Sequence, residues 1–396
     1  MNLLEWAELP NAQTQWEAAL SHWGGRLDVL GLMEREGLGP RAERALAAMA
    51  ASARLSEASP PARASALGAA LFVCAADALG HARGHARVAS GLWPLLDDVG
   101  WDSPQQWQVT SSLSALQDAH HRVHANAPGR AYLDLARRVD VGTLLALAEV
   151  HQQGVLPRQV WPEMLELELQ EAGLWGQGAA LGVFARHIDA AMAALPAHVR
   201  EWVIREGHWA LGRGQVHTPQ EALARGWRAR EGLAQAWVQC GLSGSGKTTW
   251  VEHNLPQAHL VCMDTLRAQL TSDPADQGRN AQVFALAREH FKRALRAREP
   301  VVWSSTNLRR SQRAALLETA RAYGAHTTLV VHHVGLGCAL ARNARRARQV
   351  PADVIRRQAH TAQLPLEDEA HRVMWIGRDG QCWRDTRAQP WCLGER

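Results

Sequence analysis

The stretch Gly241-Leu-Ser-Gly-Ser-Gly-Lys-Thr-Thr249 matches the pattern G-x-x-x-x-G-K-[ST] at every fixed position. A short apolar run at 236–240 precedes it and predicts a strand, and the residues from Trp250 onward predict a helix. In such a strand–loop–helix context, the glycines let successive backbone N–H groups turn towards phosphate oxygens. The helix N-terminus adds further donors and partial positive charge. The stretch therefore predicts a phosphate-binding loop.

The loop residues have distinct expected roles. We expect the side chain of Lys247 to reach the β- and γ-phosphates of ATP, and the hydroxyl of Thr248 to bind Mg²⁺. The residues expected to bind the nucleotide in this stretch are Gly241, Ser243, Gly244, Ser245, Gly246, Lys247, Thr248 and Thr249.

Lysine is rare in this chain. Of the 43 Lys+Arg residues, only Lys247 and Lys292 are lysines. A compact ammonium fits between phosphates where a planar guanidinium does not. The lysine at position 247 therefore looks required rather than incidental.

Length and charge suggest two domains with different partners. A chain of 396 residues is long enough for two domains. Residues 237–396 contain 23 Lys+Arg and 14 Asp+Glu, whereas the rest of the chain contains 20 and 25. The C-terminal part, at +9, is therefore the half suited to a polyanion. Ordinary solvated arginines are the alternative explanation of this excess.

The cysteines and the apolar segments predict a cytoplasmic protein without a membrane span. The six cysteines are scattered without C-x-x-C spacing, as expected for reduced thiols rather than disulfides or a zinc site. The first residues show no basic and apolar signal-peptide pattern. The most apolar stretch, 174–195, contains charged residues and predicts a buried helix.

Residues 1–211 predict an all-helical domain. Apolar spacing near 3.6 recurs in Ala- and Leu-rich stretches. These stretches are 42–55, 62–78, 107–121, 130–152 and 160–171.

Part of this helical region resembles the HD-type metal phosphohydrolases, an all-helical family. The resemblance runs through Gly84-His-Ala-Arg-Val88, the pair His120-His121, and the stretch 139–149 with Gly154. The family is defined by a His-Asp doublet, and this sequence contains no His-Asp dipeptide. The resemblance therefore implies a degenerate HD-like domain that has lost its phosphoesterase activity. An unrelated helical domain and a retained metal site are the alternatives.

Residues 212–232 predict a linker and a connecting helix. Thr218-Pro-Gln-Glu221 has the form of a capping box with proline at the first helical position, and the helix is expected to continue to about residue 235.

Residues 233–396 predict an α/β domain. Apolar runs at 236–240, 259–263, 300–304, 327–332 and 373–376 alternate with helical segments. This alternation favours a parallel sheet with helices on both faces, with phosphates beyond the carboxyl ends of the strands.

Three further groups of polar residues follow these strands. Asp264 comes after the second strand, where a carboxylate can take a proton from an attacking hydroxyl, and Arg267 is expected on the same helical face. Thr306-Asn307 follows the third strand, where positioning and direct contact are equally plausible. Arg342, Arg345 and Arg346 have the spacing of one helical face that could close over ATP.

In this order and spacing, the C-terminal domain resembles the phage-type polynucleotide 5′-hydroxyl kinases. The resemblance implies that Asp264 is the general base, that Arg267 contacts the acceptor phosphate, and that Arg342 and Arg346 act from a lid. It also implies ATP and Mg²⁺ as cofactors. Kinases of this kind fused to an HD phosphoesterase occur among nucleic-acid end-healing enzymes. Relatives carry an Asp just before the Thr-Asn pair, whereas this chain has Ser304-Ser305.

The resemblance thus implies ATP-dependent phosphorylation of 5′-hydroxyl ends of RNA or DNA, in end repair with a ligase or another repair protein as partner. Two alternatives remain open. One is a P-loop kinase that acts on a small metabolite. The other is a non-catalytic scaffold that binds ATP and nucleic acid.

Overall fold

The computed structural model describes two compact units of the chain. The first ends at Gly182 and the second begins at Val183. The described residues are 3–27, 38–55, 60, 63–71, 103–125, 127, 132, 135, 139, 141–155, 161–171, 179–226, 229, 232–270 and 280–387. Among them, no helix combines the length and the apolar character needed to cross a bilayer.

The described part of the first unit is helical, as predicted. Buried leucines, alanines and the fully enclosed Trp6 form its core, and the Trp6 indole donates to the carbonyl of Gln15 at 2.7 Å. Residues 63–71 are also helical. The remaining elements are α1 (Leu3–Ala7), α2 (Ala12–Leu27), α3 (Leu38–Ala50), a 3₁₀ turn (Ala53–Leu55), α4 (Ser103–His124), α5 (Val141–Val155) and α6 (Trp161–Glu171).

Three helices precede the sheet: α7 (Ala179–Ala191), α8 (Ala197–Gly212) and α9 (Pro219–Arg225). The predicted cap of α9 is present, because the Thr218 hydroxyl accepts from the backbone N–H of Glu221 at 3.2 Å. The helix is shorter than predicted and ends at Gly226. A Cβ at Gly226 would lie 2.7 Å from Val203, so the close packing of the chain on α8 requires a glycine there.

Helix α8 belongs to the second unit. Its Glu201 carboxylate lies 3.0 Å from His326, and its Glu206 carboxylate lies 3.2 Å from His371. Trp209 on the same helix lies against the His371 ring. The second unit therefore begins before residue 212, where the sequence placed the linker.

A six-stranded sheet forms the centre of the second unit, in the order β2-β3-β1-β4-β5-β6. The first five strands are parallel, and each begins within one residue of its prediction. Strand β6 pairs antiparallel with β5 and was not predicted. The strands are β1 (Gln235–Cys240), β2 (His259–Cys262), β3 (Val301–Ser304), β4 (His326–His332), β5 (Arg372–Ile376) and β6 (Cys382–Asp385).

Helices connect the parallel strands, which gives the predicted α/β architecture. The helix after β1 buries Trp250 and Val251 against Val302, Val330 and Ile376 of three neighbouring strands. These helices are α10 (Lys247–Asn254), α11 (Met263–Leu270), α12 (Asn280–Arg296), α13 (Arg310–Ala322), α14 (Leu336–Ala344) and α15 (Ala352–Thr361).

Candidate functional site

The phosphate-binding loop joins β1 to α10 at the carboxyl edge of the sheet. The backbone N–H of Gly241 donates to the carbonyl of Thr306 at 3.0 Å, which fixes the start of the loop. Gly244 has a φ of +85°, and a Cβ there would lie 2.4 Å from the carbonyl oxygen of Ala339. Gly246 has a φ of +93° and directly precedes α10. The loop conformation therefore requires glycine at positions 244 and 246.

This loop has the donors that a triphosphate needs. The first N–H groups of α10 have no intrahelical acceptors and lie at the positive end of the helix dipole. The Lys247 ammonium lies inside the loop, where it donates to the carbonyls of Gly241 at 3.0 Å and Leu242 at 2.7 Å. Thr248 and Thr249 are exposed in the first turn of the helix. The hydroxyl of Thr248 is thus available as an oxygen ligand for Mg²⁺.

The charges of two other predicted site residues, Arg346 and Asp264, act on the Lys247 ammonium. The pKa of Lys247 is lowered to about 8, and burial is the main cause. The positive charge of Arg346 contributes to the lowering, and the negative charge of Asp264 opposes it. Both side chains are therefore close enough to Lys247 for their charges to act on it.

Asp264 and Arg267 form a pair on the first turns of α11. Arg267 Nη1 donates to Asp264 Oδ1 at 2.9 Å. The Asp264 side chain is 67% exposed, whereas that of Arg267 is 11% exposed. The arginine thus orients a carboxylate that solvent can reach. The prediction that the two share one helical face is confirmed.

The arginine-rich segment after β4 differs from its prediction. Helix α14 ends at Ala344, so Arg342 and Arg346 do not lie on one continuous helical face, and that prediction is wrong. The helix ends because Asn343 bonds to the chain that follows. Asn343 Nδ2 donates to the carbonyl of Val350 at 2.7 Å, and Asn343 Oδ1 accepts from the Val350 N–H at 2.9 Å. The side chain thus closes residues 344–350 into a compact turn that exposes Arg346.

Arg342, near the end of α14, contacts the phosphate-binding loop. Its Nη1 donates to the carbonyl of Ser245 at 3.3 Å, and its Nη2 donates to the carbonyl of Arg378 in the turn between β5 and β6. This places Arg342 beside the phosphate-binding loop.

Three polar residues that were not predicted from the sequence contact the loop or support a residue that does. Gln239 Nε2 donates to the carbonyl of Lys247 at 2.9 Å and lies 3.1 Å from Nε2 of His332. Burial, then the charges of Lys247 and Arg342, lower the pKa of His332 to about 3, so this imidazole is neutral and can accept. Gln358 of α15 accepts from the Ser243 N–H at 2.9 Å. Their positions in the chain gave no local signal.

Thr306 and Asn307 have a positioning role. Asn307 is buried, adopts a φ of 44°, and donates from Nδ2 to the carbonyl of Gln239 at 2.7 Å. Ser305 Oγ donates to Asn307 Oδ1 at 2.7 Å. The turn therefore ties the end of β3 to the strand that leads into the phosphate-binding loop.

The HD-like residues are only partly described. Gly84–Val88 and Asp140 lie outside the described residues. His120 is in α4, where its Nε2 lies 3.0 Å from Nε2 of His124, and its ring lies 5.4 Å from that of His151. Across the described ranges, no group of three or more His, Cys, Asp or Glu side chains is arranged to hold a metal ion.

Comparison with known proteins supports the nucleotide-binding assignment. A family model described as an AAA domain matches residues 237–365. None of the curated proteins matches this chain. The matched region runs from β1 past α15, and it contains the phosphate-binding loop, Asp264 and the lid. This region is a P-loop, kinase-like nucleotide-binding domain built on a mainly parallel sheet. Domains of this kind generally bind ATP or another nucleotide with Mg²⁺.

Proposed function

We propose that this protein transfers the γ-phosphate of ATP to the 5′-hydroxyl end of RNA or DNA. The observation that carries the proposal is that Lys247 lies in the loop after β1 and the Asp264–Arg267 pair lies directly after β2, at the same carboxyl edge of the sheet. The charge of Arg346 also acts on Lys247. A base, a phosphate-binding ammonium and a lid cation are the three groups that phosphoryl transfer needs around one centre. The order of motifs and the excess of positive charge in this part of the chain support a nucleic acid as the acceptor.

In this proposal, the loop N–H groups and Lys247 hold the β- and γ-phosphates. Thr248 contributes a ligand to Mg²⁺, which neutralises phosphate charge when it is bound. Because Lys247 donates to loop carbonyls at 2.7 and 3.0 Å, its ammonium exchanges these carbonyls for phosphate oxygens when the nucleotide binds.

Asp264 is the proposed general base. Its exposed carboxylate takes the proton of the 5′-hydroxyl as that oxygen bonds to the γ-phosphorus. The bond from the γ-phosphorus to the β–γ bridging oxygen breaks, and ADP leaves. Arg267 holds the carboxylate at 2.9 Å and contacts the acceptor phosphate. Arg346 and Arg342 stabilise the charge that develops on the transferred group.

The serines before the Thr-Asn pair bear on the expected rate. Ser305 bonds to Asn307 and so supports the turn, but it cannot supply the negative charge of the Asp found in relatives. We therefore expect catalysis at a reduced rate rather than none.

The helical region is proposed to position the nucleic acid or a protein partner, such as a ligase, as a degenerate HD-like domain. We expect the protein to act in the cytoplasm. Two alternatives predict different behaviour. A small-metabolite kinase would not be inhibited by oligonucleotides, and a scaffold would bind ATP without turnover.

The test is the Asp264→Ala variant. We expect it to abolish phosphorylation of a 5′-hydroxyl oligonucleotide while the affinity for ATP, measured by calorimetry, stays within about twofold of wild type. A matched control is Glu289→Ala, which removes an exposed carboxylate from α12. Turnover that survives in Asp264→Ala would contradict the assignment of the base.

A further inference from the structure

Exposed arginines lie after α14, on α15 and at the start of α13, and we call this set the arginine ridge. Three of them follow α14, one lies on α15, and two lie at the start of α13. The members of the ridge are Arg345, Arg346, Arg348, Arg356, Arg309 and Arg310.

Backbone and side-chain contacts join two of the three parts of the ridge, those on α15 and at the start of α13. Gln363, just beyond α15, donates from its N–H to the carbonyl of Leu308 at 2.8 Å. Its Oε1 accepts from the N–H of Arg310 at 2.7 Å. The end of α15 therefore lies against the start of α13, and the arginines of the two helices belong to one surface.

The ridge begins at the phosphate-binding loop. Gln358 on the inner side of α15 accepts from the Ser243 N–H, while Arg356 and Arg357 on the same helix are exposed. Arg346, which follows α14, lowers the pKa of Lys247 in the same loop. The parts of the ridge on α15 and after α14 therefore lie beside the loop that would hold the γ-phosphate.

The charge of this surface is almost all of one sign. Between residues 342 and 361, the chain has six arginines and one carboxylate, that of Asp353. Arg357 binds that carboxylate at 2.7 Å, which leaves the ridge itself without an acidic neighbour in this segment. A surface with this charge is complementary to a polyanion that extends from the active site.

We propose that the arginine ridge binds the phosphodiester backbone of the single strand whose 5′-hydroxyl end is phosphorylated. This inference rests on the proposed function and adds a path for the nucleotides beyond the first. Phosphate contacts of this kind are independent of base sequence, so the ridge confers a preference for acceptor length rather than for sequence.

The experiment compares a nucleoside 3′-monophosphate with a ten-nucleotide 5′-hydroxyl acceptor. In wild type, we expect a lower KM for the longer acceptor. The variant Arg309→Gln/Arg310→Gln/Arg356→Gln should raise the KM for the oligonucleotide by between about tenfold and about 100-fold at 0.1 M salt. The reason is that each phosphate contact contributes about 0.7 to the salt slope, the slope of the logarithm of the binding constant against the logarithm of the salt concentration. Its kcat and KM for the nucleoside monophosphate should equal those of wild type.

A matched control removes three positive charges from α12, in Arg288→Gln/Arg293→Gln/Arg296→Gln. We expect wild-type kinetics with both acceptors. Equal KM values for the long acceptor in the ridge and control variants would overturn the ridge proposal while leaving the proposed function intact.

Binding distinguishes a failure of the ridge from a failure of the proposed function. Anisotropy of a labelled oligonucleotide should give a salt slope that is smaller by about 2 in the ridge variant. A wild type that phosphorylates neither acceptor would refute the proposed function, and the slope would still test the ridge. Displacement of the oligonucleotide by polyglutamate at equal charge concentration would overturn the assignment to nucleic acid.

Discussion

Gly244 lies so close to Ala339 that a Cβ at position 244 would stand 2.4 Å from the Ala339 carbonyl oxygen. The phosphate-binding loop and the lid helix α14 are therefore packed backbone against backbone. Gly244→Ala must displace one of the two, and we expect a loss of ATP affinity of at least tenfold, measured by calorimetry.

A second glycine distinguishes the effect of the steric clash at position 244 from the effect of a positive φ alone. Gly324 also has a positive φ, of +70°, but a Cβ there would have no neighbour within 4 Å. Gly324→Ala should cost about 1 kcal/mol of stability and leave ATP affinity unchanged. Equal ATP affinities in the two variants would show that loop–lid packing does not set nucleotide binding.

The bond between Asn343 and Val350 makes a prediction about the lid. Asn343→Ala removes two hydrogen bonds, each contributing about 1 kcal/mol, from the turn that presents Arg346. We expect faster tryptic cleavage at the exposed arginines of 345–348 and a lower kcat. Asn343→Asp, which can still accept from the Val350 N–H, should be cut at an intermediate rate. Cleavage at the wild-type rate in both variants would contradict this role.

The lowered pKa of Lys247 predicts proton uptake on nucleotide binding. Below pH 8 the ammonium is already charged, whereas above pH 8 it is increasingly neutral in the free protein. Phosphate binding favours the charged form, so ATP affinity should fall as pH rises above about 8. Calorimetry in buffers of different ionisation enthalpy should detect proton uptake at pH 9. The variant Lys247→Met should bind ATP weakly and without proton uptake. Proton uptake that persists in this variant would show that a residue other than Lys247 takes up the proton.

His332 predicts acid sensitivity of the second unit. Its pKa is lowered to about 3 in the folded protein, whereas the unfolded chain takes up this proton near pH 6.5. The free energy of unfolding should therefore decrease as pH falls below about 6.5. In His332→Gln, the loss between pH 7.5 and 5.5 should be smaller by about 1.4 kcal/mol in urea titrations. If the free energy of unfolding of wild type and of His332→Gln changed with pH in the same way, His332 would not be the residue that causes the acid sensitivity.

The sequence predicted the parallel strands because each contains a short apolar run. Strands β3 and β4 are buried along their whole length, whereas the edge strand β2 exposes His259 and Leu260. Strand β6 lacked this signal, because Cys382-Trp-Arg-Asp385 is a half-exposed edge strand whose pairing depends on β5. The end of α14 was also unpredictable, because Arg342–Arg348 suits a helix locally. The bond from Asn343 to Val350 ends it, and that bond spans seven residues.

The residues of the candidate site likewise fall into those that a local sequence pattern predicts and those that it does not. Lys247 and Asp264 follow strand ends and could be found from local patterns. Gln239, His332 and Gln358 could not, because each acts through a contact with a distant part of the chain. The Gln239–His332 contact spans 93 residues, and the Ser243–Gln358 bond spans 115.

The most direct test of the proposed kinase activity is transfer of labelled γ-phosphate from ATP to a 5′-hydroxyl oligonucleotide, with wild type and Lys247→Ala side by side. We expect label at the 5′ end with wild type, none with Lys247→Ala, and none with an acceptor that already carries a 5′-phosphate. Wild-type protein that binds ATP but labels neither RNA nor DNA would refute the proposed activity.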